Sequence, residues 1–319
     1  MNNISSNKTP DAQALLNQIV IDFMRDQKRK KIWRWIMRFL ILVLLVVLYF
    51  NVTAMFDDES EGKKPHVGLI DVTGSIFDTD SGNADYFSKG LDSAYKKTGL
   101  KAVIVRINSP GGSPVQADYM YNSIQYYRKT YPNIKVYAVC VDICASAAYY
   151  VASAADEIYA NESSMVGSIG VLYNGFGFVD ALQKLGVTRR LQTSGINKGF
   201  LDPFSPIDPH AQQLLQGILN DVHQEFINKV KSGRGTRLKV DADTFSGLFW
   251  TGRQAKEQGL IDGFASTGQL AREQLKLDLI IDYTYKQSVF DRVSKGIGTA
   301  IAGGIPQALG MSPGIKAQL

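Results

Sequence analysis

Three short runs of residues carry the side chains and turns needed for acyl transfer by a serine. They are residues 108–113 (NSPGGS), residues 144–149 (CASAAY) and residues 194–198 (SGINK). A glycine turn exposes backbone N–H groups to a carbonyl oxygen, a serine hydroxyl attacks the carbonyl carbon, and a lysine amine accepts the hydroxyl proton. Together the runs predict a nucleophile at Ser146, a base at Lys198 and a donor-rich turn that precedes both in the chain.

Each of these residues also fits an ordinary structural role. Ser146 precedes an apolar helical segment and can serve as its N-cap, a role that is compatible with nucleophilic attack. Most lysines are solvated, but Lys198 lies in a loop of glycines and apolar residues, where desolvation favours the neutral amine that a base requires. The three histidines, His66, His210 and His223, lie in no comparable setting. A Ser-His-Asp triad is therefore not expected.

The order and spacing of the runs resemble one known family. A predicted strand is followed by SPGG (109–112), then by ASAAYYVASAAD (145–156), GSIGV (167–171) and SGINK (194–198). This order resembles the signal peptide peptidase A family of membrane-anchored serine peptidases, of the crotonase/Clp type, over roughly residues 67–277. In that family the nucleophile is usually followed by glycine, whereas this chain has Ala147, which keeps the backbone N–H.

The resemblance implies a fold and a set of site residues. The fold is α/β, a crotonase/ClpP-like spiral of ββα units. The backbone amides of Gly112 and Ala147 form the oxyanion hole, and Gly111 belongs to the same turn. The dyad of Ser146 and Lys198 works through an acyl-enzyme intermediate, as a serine endopeptidase.

The resemblance also implies how the dyad is completed and what it cleaves. Ser168 orients the lysine amine. Single-copy members assemble as homo-oligomeric rings, expected here with roughly eight subunits, in which neighbours share the dyad. The substrates are remnant signal peptides and other small apolar peptides. Two alternatives stay open: acyl-CoA chemistry on a crotonase-like core, which leaves Ser146 and Lys198 without a role, and a catalytically silent membrane scaffold that binds peptides in the same groove.

The net charge of the chain, +5, comes from its N-terminal segment. Residues 1–38 carry eight Lys/Arg and three Asp/Glu, whereas residues 39–319 carry 27 of each sign. A nucleic-acid-binding domain presents a basic face, and the main part of the chain has no such excess, so no nucleic-acid partner is predicted. The chain has no phosphate-binding GxxxxGK[ST] loop and no histidines at metal-ligand spacing, so no cofactor or metal is predicted.

Residues 36–56 predict a single transmembrane helix. Twenty-one helical residues at ~1.5 Å each reach about 31 Å, enough to cross a hydrocarbon core of ~30 Å. A buried core helix would not follow seven Lys/Arg between residues 25 and 38, and a cleavable signal peptide would have a shorter apolar stretch. The basic residues before the segment and the acidic residues 57–61 after it orient the N-terminus to the cytoplasm. We therefore expect a single-pass inner-membrane protein whose catalytic domain is periplasmic or otherwise extracytoplasmic.

The rest of the chain alternates strand and helix patterns, which favours an α/β fold with mainly parallel pairing. Ser113 and Pro114 mark the start of one helix, and Asp208 precedes another, whereas Asp202 is expected in a turn. Strands are predicted at residues 67–72, 102–107, 136–141, 157–160, 167–172 and 188–193. Helices are predicted at residues 84–97, 114–129, 146–154, 178–185 and 209–231.

We expect four parts along the chain. They are a basic cytoplasmic segment (1–35), the anchor (36–56), the peptidase domain (57–295) and a flexible tail (296–319). The two cysteines, Cys140 and Cys144, precede Ser146 and are either two buried thiols or a disulfide. A catalytic thiol is not expected, because no histidine lies near them in the sequence.

Overall fold

The computed structural model describes residues 12–79 and 82–286, and it contains two compact units, Met1–Glu61 and Gly62–Leu319. In the first unit one helix, α1, runs from Ala12 to Glu61. None of the helices in the described part of the chain has both the length and the apolar character needed to cross a membrane. The predicted anchor, residues 36–56, lies within α1, and its side chains at 48 and 50–56 lie outside what the structure describes. The predicted tail, residues 296–319, also lies outside the described residues.

The second unit alternates strands and helices along most of its length. Its strands are β1 (His66–Thr73), β2 (Leu100–Ser109), β3 (Lys135–Ala145), β4 (Glu157–Ala160), β5 (Met165–Gly167), β6 (Phe249–Thr251), β7 (Gly263–Phe264) and β8 (Ile280–Asp282). Its helices are α2 (Ala84–Tyr95), α3 (Pro114–Thr130), α4 (Ala147–Ala152), α5 (Val179–Lys184), α6 (Pro209–Arg234), α7 (Gly252–Glu257) and α8 (Thr267–Gln269).

The strands form one sheet with the order β6-β5-β3-β2-β1-β8, and β4 pairs with both β3 and β7. Every strand pair is parallel except β5–β6. The prediction of an α/β fold with mainly parallel pairing is confirmed. The central strands are nearly continuous apolar runs because both faces of such a sheet are covered.

Two apolar cores cover the two faces of the sheet. The larger core contains side chains of α2, α3 and α4, together with Phe226 and Val230 of α6. The smaller core lies on the opposite face of the sheet, where alternate residues of β1 and β2, such as Leu69 and Ile104, pack with Leu270. Ser113 and Asp208 cap α3 and α6 as predicted, so the sequence located the starts of the two longest helices of this unit correctly.

A change of register between β2 and β3 lies directly before the candidate nucleophile. Ile107 is opposite Cys140, but Ser109, two residues later, is opposite Cys144, so β3 contains extra residues at this point. Both cysteines are buried and free. Burial raises the pKa of the Cys144 thiol, and its interaction with Cys140 acts in the same direction. Cys144 is therefore an inert core thiol rather than a nucleophile.

Two predicted strands differ from the structure. The strand predicted at 167–172 is present only as β5, which ends at Gly167. The strand predicted at 188–193 is wrong, because residues 185–208 contain no strand. A strand needs a partner for its backbone N–H and C=O groups, and no described strand of this chain lies beside that segment. The local sequence of residues 188–193 therefore favoured a strand for which the described fold supplies no partner.

Candidate active site

Ser146 stands at the junction of β3, which ends at Ala145, and α4. Its backbone has φ 56° and ψ −128°, a conformation that residues with a side chain rarely adopt. The Ser146 N–H donates to the Gly167 carbonyl at 2.8 Å, and the Tyr150 N–H donates to the Ser146 carbonyl at 3.0 Å. Within the described structure the hydroxyl makes no capping bond to α4 and is left available. A strained residue held by its surroundings is typical of functional sites.

The two glycines of the SPGG turn are required by close backbone approaches. Gly111 and Gly112 have φ values of 104° and 152°. A Cβ on Gly111 would lie 2.7 Å from the Ser146 Cβ and 2.9 Å from the amide nitrogen of Ala147. A Cβ on Gly112 would lie 2.3 Å from the carbonyl oxygen of Ile76, whose N–H donates to the Gly111 carbonyl at 2.9 Å. The backbone of the turn therefore packs directly against Ser146, the predicted nucleophile.

Two backbone amides beside the serine are free to bind an oxyanion. The Gly111 N–H donates to the Ser109 hydroxyl at 3.1 Å, so it is already engaged. Among the described residues, by contrast, no acceptor is found for the N–H of Gly112 or of Ala147, which is the first residue of α4. Gly112 and Ala147 are the pair of amides that the family resemblance implied. The bond to Ser109 gives a physical reason why the Gly111 amide does not belong to this pair. An oxyanion hole requires two such donors near the nucleophile.

A cavity of about 840 Å³ opens over these groups. Gly112, Ser146, Ala147 and Ser168 all line it. Its other walls are largely apolar and include Phe77, Tyr150, Val171, Leu172, Val222 and Phe226. The structure therefore brings the predicted nucleophile, both predicted amides and Ser168 together at one apolar groove.

Ser168 is also held in an uncommon backbone conformation. Its φ is 51°, and its N–H donates to the carbonyl of Leu248 at 2.7 Å. It follows directly after Gly167, the residue that holds the Ser146 amide. The two serines are therefore connected through one short segment of backbone, although the orienting role predicted for Ser168 stays a prediction.

Lys198 lies away from this group in the single chain. It is exposed, its N–H donates to the Gly195 carbonyl at 3.1 Å in a turn, and it is not among the residues that line the cavity. The surrounding segment, residues 171–208, exposes many large apolar side chains, and Ile196 is 99% exposed. Leu172, Phe176, Leu185 and Ile207 are each at least 75% exposed. One copy of the chain therefore does not bring the predicted base to the predicted nucleophile.

The histidines take no part in the cavity. His66 is buried between the Lys64 carbonyl at 2.8 Å and the Tyr283 hydroxyl at 2.9 Å. His223 hydrogen-bonds the carbonyl of Ile169 at 3.1 Å, and His210 is the second residue of α6. In the described part of the chain, no three His, Cys, Asp or Glu side chains are grouped so that they could hold a metal ion.

Sequence reasoning missed the residues that hold the site together. Ile76 and Gly167 act through their backbone and leave no signal in a single sequence. Ser109 was visible in the SPGG run, but its bond to Gly111 depends on how the turn folds. Tyr150 was visible in the YY pair after the nucleophile, and its place in the cavity wall follows from its position one turn into α4.

Comparison with known proteins gives a family and several relatives. The model of peptidase family S49 matches residues 128–280. A Brucella abortus protein named "Na(+)/H(+) antiporter NhaA" is 42% identical over 194 residues, which are 60% of this chain and 26% of that protein. A Synechocystis protein named "Putative protease slr0021" is 33% identical over 196 residues, which are 61% of this chain and 68% of that protein.

An Enterococcus faecium protein named "Putative signal peptide peptidase SppA" is 27% identical over 240 residues, which are 74% of this chain and 69% of that protein. The chain spans about a quarter of the length of the Brucella protein. It spans about two thirds of the other two. The family match begins near the end of α3 and ends at the first residue of β8, so it includes Ser146, Ser168 and Lys198 but not the turn of Gly111 and Gly112.

Proposed function

The chain belongs to peptidase family S49, and from this premise we propose that it is a serine endopeptidase with a Ser-Lys dyad. Ser146 is the nucleophile, Lys198 the general base, and the amides of Gly112 and Ala147 form the oxyanion hole. The observation that carries the proposal is the strained Ser146, whose hydroxyl faces a cavity beside two N–H groups that lack an acceptor in the described structure. Ordinary helix capping does not account for this arrangement.

The groups support a two-step reaction. The Ser146 oxygen attacks the carbonyl carbon of the scissile peptide while the neutral amine of Lys198 takes the hydroxyl proton. The N–H groups of Gly112 and Ala147 donate to the oxygen that becomes negative. The C–N bond then breaks as the lysine returns the proton to the leaving nitrogen, and water hydrolyses the acyl-enzyme by the same steps. The first turn of α4 also directs its N–H groups toward the developing charge.

The dyad is proposed to form between two copies of the chain. Lys198 lies outside the cavity in one copy, and it is carried by a segment with many exposed apolar side chains. Exposed apolar surface of this extent is typical of an interface. A neighbouring copy that covers this segment would bury the apolar side chains and desolvate the amine of Lys198. We therefore keep the prediction of a homo-oligomeric ring with shared sites.

Apolar peptides in extended form are the proposed substrates. Phe77, Leu172, Val222 and Phe226 give the groove apolar walls, which favour apolar side chains over charged ones. Remnant signal peptides have this composition, and the Enterococcus relative carries the name of a signal peptide peptidase. The substrate class is proposed on these two grounds.

Anchoring at the inner membrane is proposed from the sequence alone. Residues 39–50 are apolar or aromatic throughout, and seven Lys/Arg lie between residues 25 and 38. The charge asymmetry favours a cytoplasmic N-terminus and an extracytoplasmic peptidase domain. Fractionation of the full chain tests this part of the proposal separately from catalysis.

A fluorophosphonate probe tests the proposed chemistry directly. We expect covalent labelling of the wild-type protein at Ser146, detected by mass spectrometry of the labelled peptide, and no labelling of Ser146→Ala. Labelled Ser146 together with hydrolysis of an apolar peptide supports the peptidase. An unlabelled, folded and assembled protein that still binds the peptide would favour the silent scaffold, and turnover of an acyl-CoA thioester without peptide hydrolysis would favour crotonase chemistry.

A further inference from the structure

The two amides of the proposed oxyanion hole lie at the starts of two different helices. Gly112 precedes α3, which begins at Pro114 after its cap Ser113, and Ala147 is the first residue of α4. Both N–H groups must reach the same oxygen atom, and a donor displaced by a few tenths of an ångström loses much of its effect. The placement of α3 relative to α4 therefore sets the geometry of the hole.

One carboxylate links the starts of these helices. Asp118, in the second turn of α3, accepts a hydrogen bond from the hydroxyl of Tyr150, in the first turn of α4, at 2.9 Å. The same oxygen of Asp118 accepts from the Lys229 ammonium of α6 at 2.8 Å. Its other oxygen accepts from the Asn122 amide at 2.8 Å. Asp118 is thus the point where α3, α4 and α6 are tied together.

We infer that Asp118 and Tyr150 are positioning residues that hold the amides of Gly112 and Ala147 at the correct separation. The inference rests on the proposed function, because it assumes that the two amides bind an oxyanion. Tyr150 is joined to the nucleophile through its backbone, since its N–H donates to the Ser146 carbonyl at 3.0 Å, and to α3 through its hydroxyl. A displacement of either helix would therefore strain or break the bonds that Tyr150 makes.

The environment of Tyr150 suits this role. The ring is 3% exposed, lies 5.0 Å from the ring of Phe226 and meets the ring of Tyr121 edge-on at 5.6 Å. These contacts need only the ring, so the hydroxyl is not required for packing. Burial raises the pKa of Tyr150, and the bond to Asp118 adds to the effect, so the hydroxyl remains a donor at neutral pH.

Lys229 provides the counter-charge. Its side chain is 21% exposed and that of Asp118 is 34% exposed, so the pair is partly withdrawn from water. Burial lowers the pKa of Lys229, but the bond and charge of Asp118 outweigh it, and the net direction is upward. Through Lys229 the same carboxylate fixes α6, which carries the cavity residues Val222 and Phe226.

The test compares Tyr150→Phe with the matched control Tyr121→Phe. Tyr121 belongs to the same cluster, but its hydroxyl lies 3.5 Å from the Lys229 carbonyl of α6 and makes no hydrogen bond to α4. In the full chain, we expect Tyr150→Phe to lower kcat by about tenfold with KM nearly unchanged, because a misplaced donor weakens binding of the transition state only. Tyr121→Phe should stay close to wild type.

Two ligands of the same peptide sequence separate positioning from stability. A peptide aldehyde forms a tetrahedral adduct whose oxygen occupies the oxyanion hole, whereas the corresponding peptide alcohol does not. Tyr150→Phe should weaken binding of the aldehyde by the same factor by which it lowers kcat. The affinity for the alcohol and the thermal midpoint of unfolding should stay unchanged. Equal losses for both ligands, or losses that follow the thermal midpoint, would show that the bond has only a structural role.

A second pair of variants covers the case in which Tyr150→Phe does not fold. Asp118→Ala should reproduce the loss in kcat, and Asp118→Asn, which keeps an oxygen acceptor for Tyr150, should recover at least about half of it. Identical behaviour of Asn and Ala overturns the inference. Fluorophosphonate labelling of the wild type is measured first, so that an unlabelled Ser146 refutes the proposed function. A labelled wild type with an unaffected Tyr150→Phe refutes only the role of Asp118 and Tyr150.

Discussion

Gly111 lies so close to Ser146 that a Cβ built on the glycine would approach the Cβ of the serine to 2.7 Å. The same Cβ would lie 2.9 Å from the amide nitrogen of Ala147. Ser146, the proposed nucleophile, and Ala147, a proposed oxyanion donor, therefore both lie against a single glycine. Any side chain at position 111 has to displace one of them.

We expect Gly111→Ala to lower kcat by at least about 100-fold, the loss found when an oxyanion donor is removed. Gly74→Ala is the matched control, because Gly74 also has a positive φ (78°) but its added Cβ meets no atom within 4 Å. The control should lose only about 1–2 kcal/mol of stability from its backbone conformation and keep its activity. Similar activities for the two variants would contradict the steric argument.

Ser146→Ala and Lys198→Ala should each reduce peptide hydrolysis by about a thousandfold or more, and the double variant should be hardly worse, because the two residues act as one unit. Initial rates on an apolar fluorogenic peptide give the measurement, with EDTA as a control that should change nothing. If Lys198→Ala kept more than about a tenth of the wild-type kcat, the proposal that Lys198 is the general base would be contradicted.

Mixing the two inactive variants tests whether the dyad is shared. In rings assembled at random from equal amounts of Ser146→Ala and Lys198→Ala, about a quarter of the interfaces join an intact serine to an intact lysine. We expect about that fraction of wild-type activity after subunit exchange. Mixed rings that form but stay inactive, as shown by differently tagged subunits, would place the dyad within one chain.

Arg234 and Asp262 form a largely buried ion pair that should contribute to the stability of the second unit. The Arg234 side chain is 0% exposed and bonds both carboxylate oxygens, at 2.8 and 2.9 Å. Arg234→Met should cost about 3–5 kcal/mol in urea denaturation, because it leaves the Asp262 carboxylate with only the partly exposed Arg237, 3.2 Å away, as a charged partner. Adding Asp262→Asn should recover part of the loss, since the amide oxygen still accepts from the Ile158 N–H. A double variant as unstable as Arg234→Met would argue against the charge as the cause.

The same pair predicts a loss of stability in acid. Burial raises the pKa of Asp262, but the hydrogen bond and charge of Arg234 and the bond from the Ile158 amide lower it by a larger amount. The net shift of the Asp262 pKa is therefore downward. The ionised Asp262 therefore contributes its full share to the free energy of unfolding above the pKa of an unfolded aspartate, about 4. This share is lost as the pH falls through the lower pKa of the folded state. Thermal midpoints measured from pH 6 downward should fall more steeply for the wild type than for Asp262→Asn. Parallel curves would contradict the assignment.

Deletion of residues 1–61 tests the anchor and the boundary between the two compact units. We expect the full chain in the membrane fraction and residues 62–319 in the soluble fraction, with hydrolysis of short peptides retained. Extraction with carbonate at high pH distinguishes an integral protein from a peripheral one. A full chain that carbonate releases, or a fragment that stays with the membrane, would refute the proposed anchor.

The sequence by itself determined the local part of this site. Ser113, Pro114 and Asp208 placed the starts of α3 and α6, because capping depends on a few neighbouring residues. The apolar runs of β1, β2 and β3 predicted a buried parallel sheet, because strands covered on both faces are apolar along their whole length. The SPGG turn and Ser146 were found because a tight turn and the start of a helix are each specified by adjacent residues.

Tertiary structure decided everything that depends on residues far apart in the chain. In the described part of the chain the N–H of Gly111 is bonded to Ser109 whereas that of Gly112 has no acceptor, a difference that no periodicity records. The strand predicted at 188–193 is absent because local β propensity does not supply a partner strand. Lys198 shows the same principle for the site itself: its sequence context is suited to a base, but one copy of the chain leaves it exposed and outside the cavity that Ser146 lines.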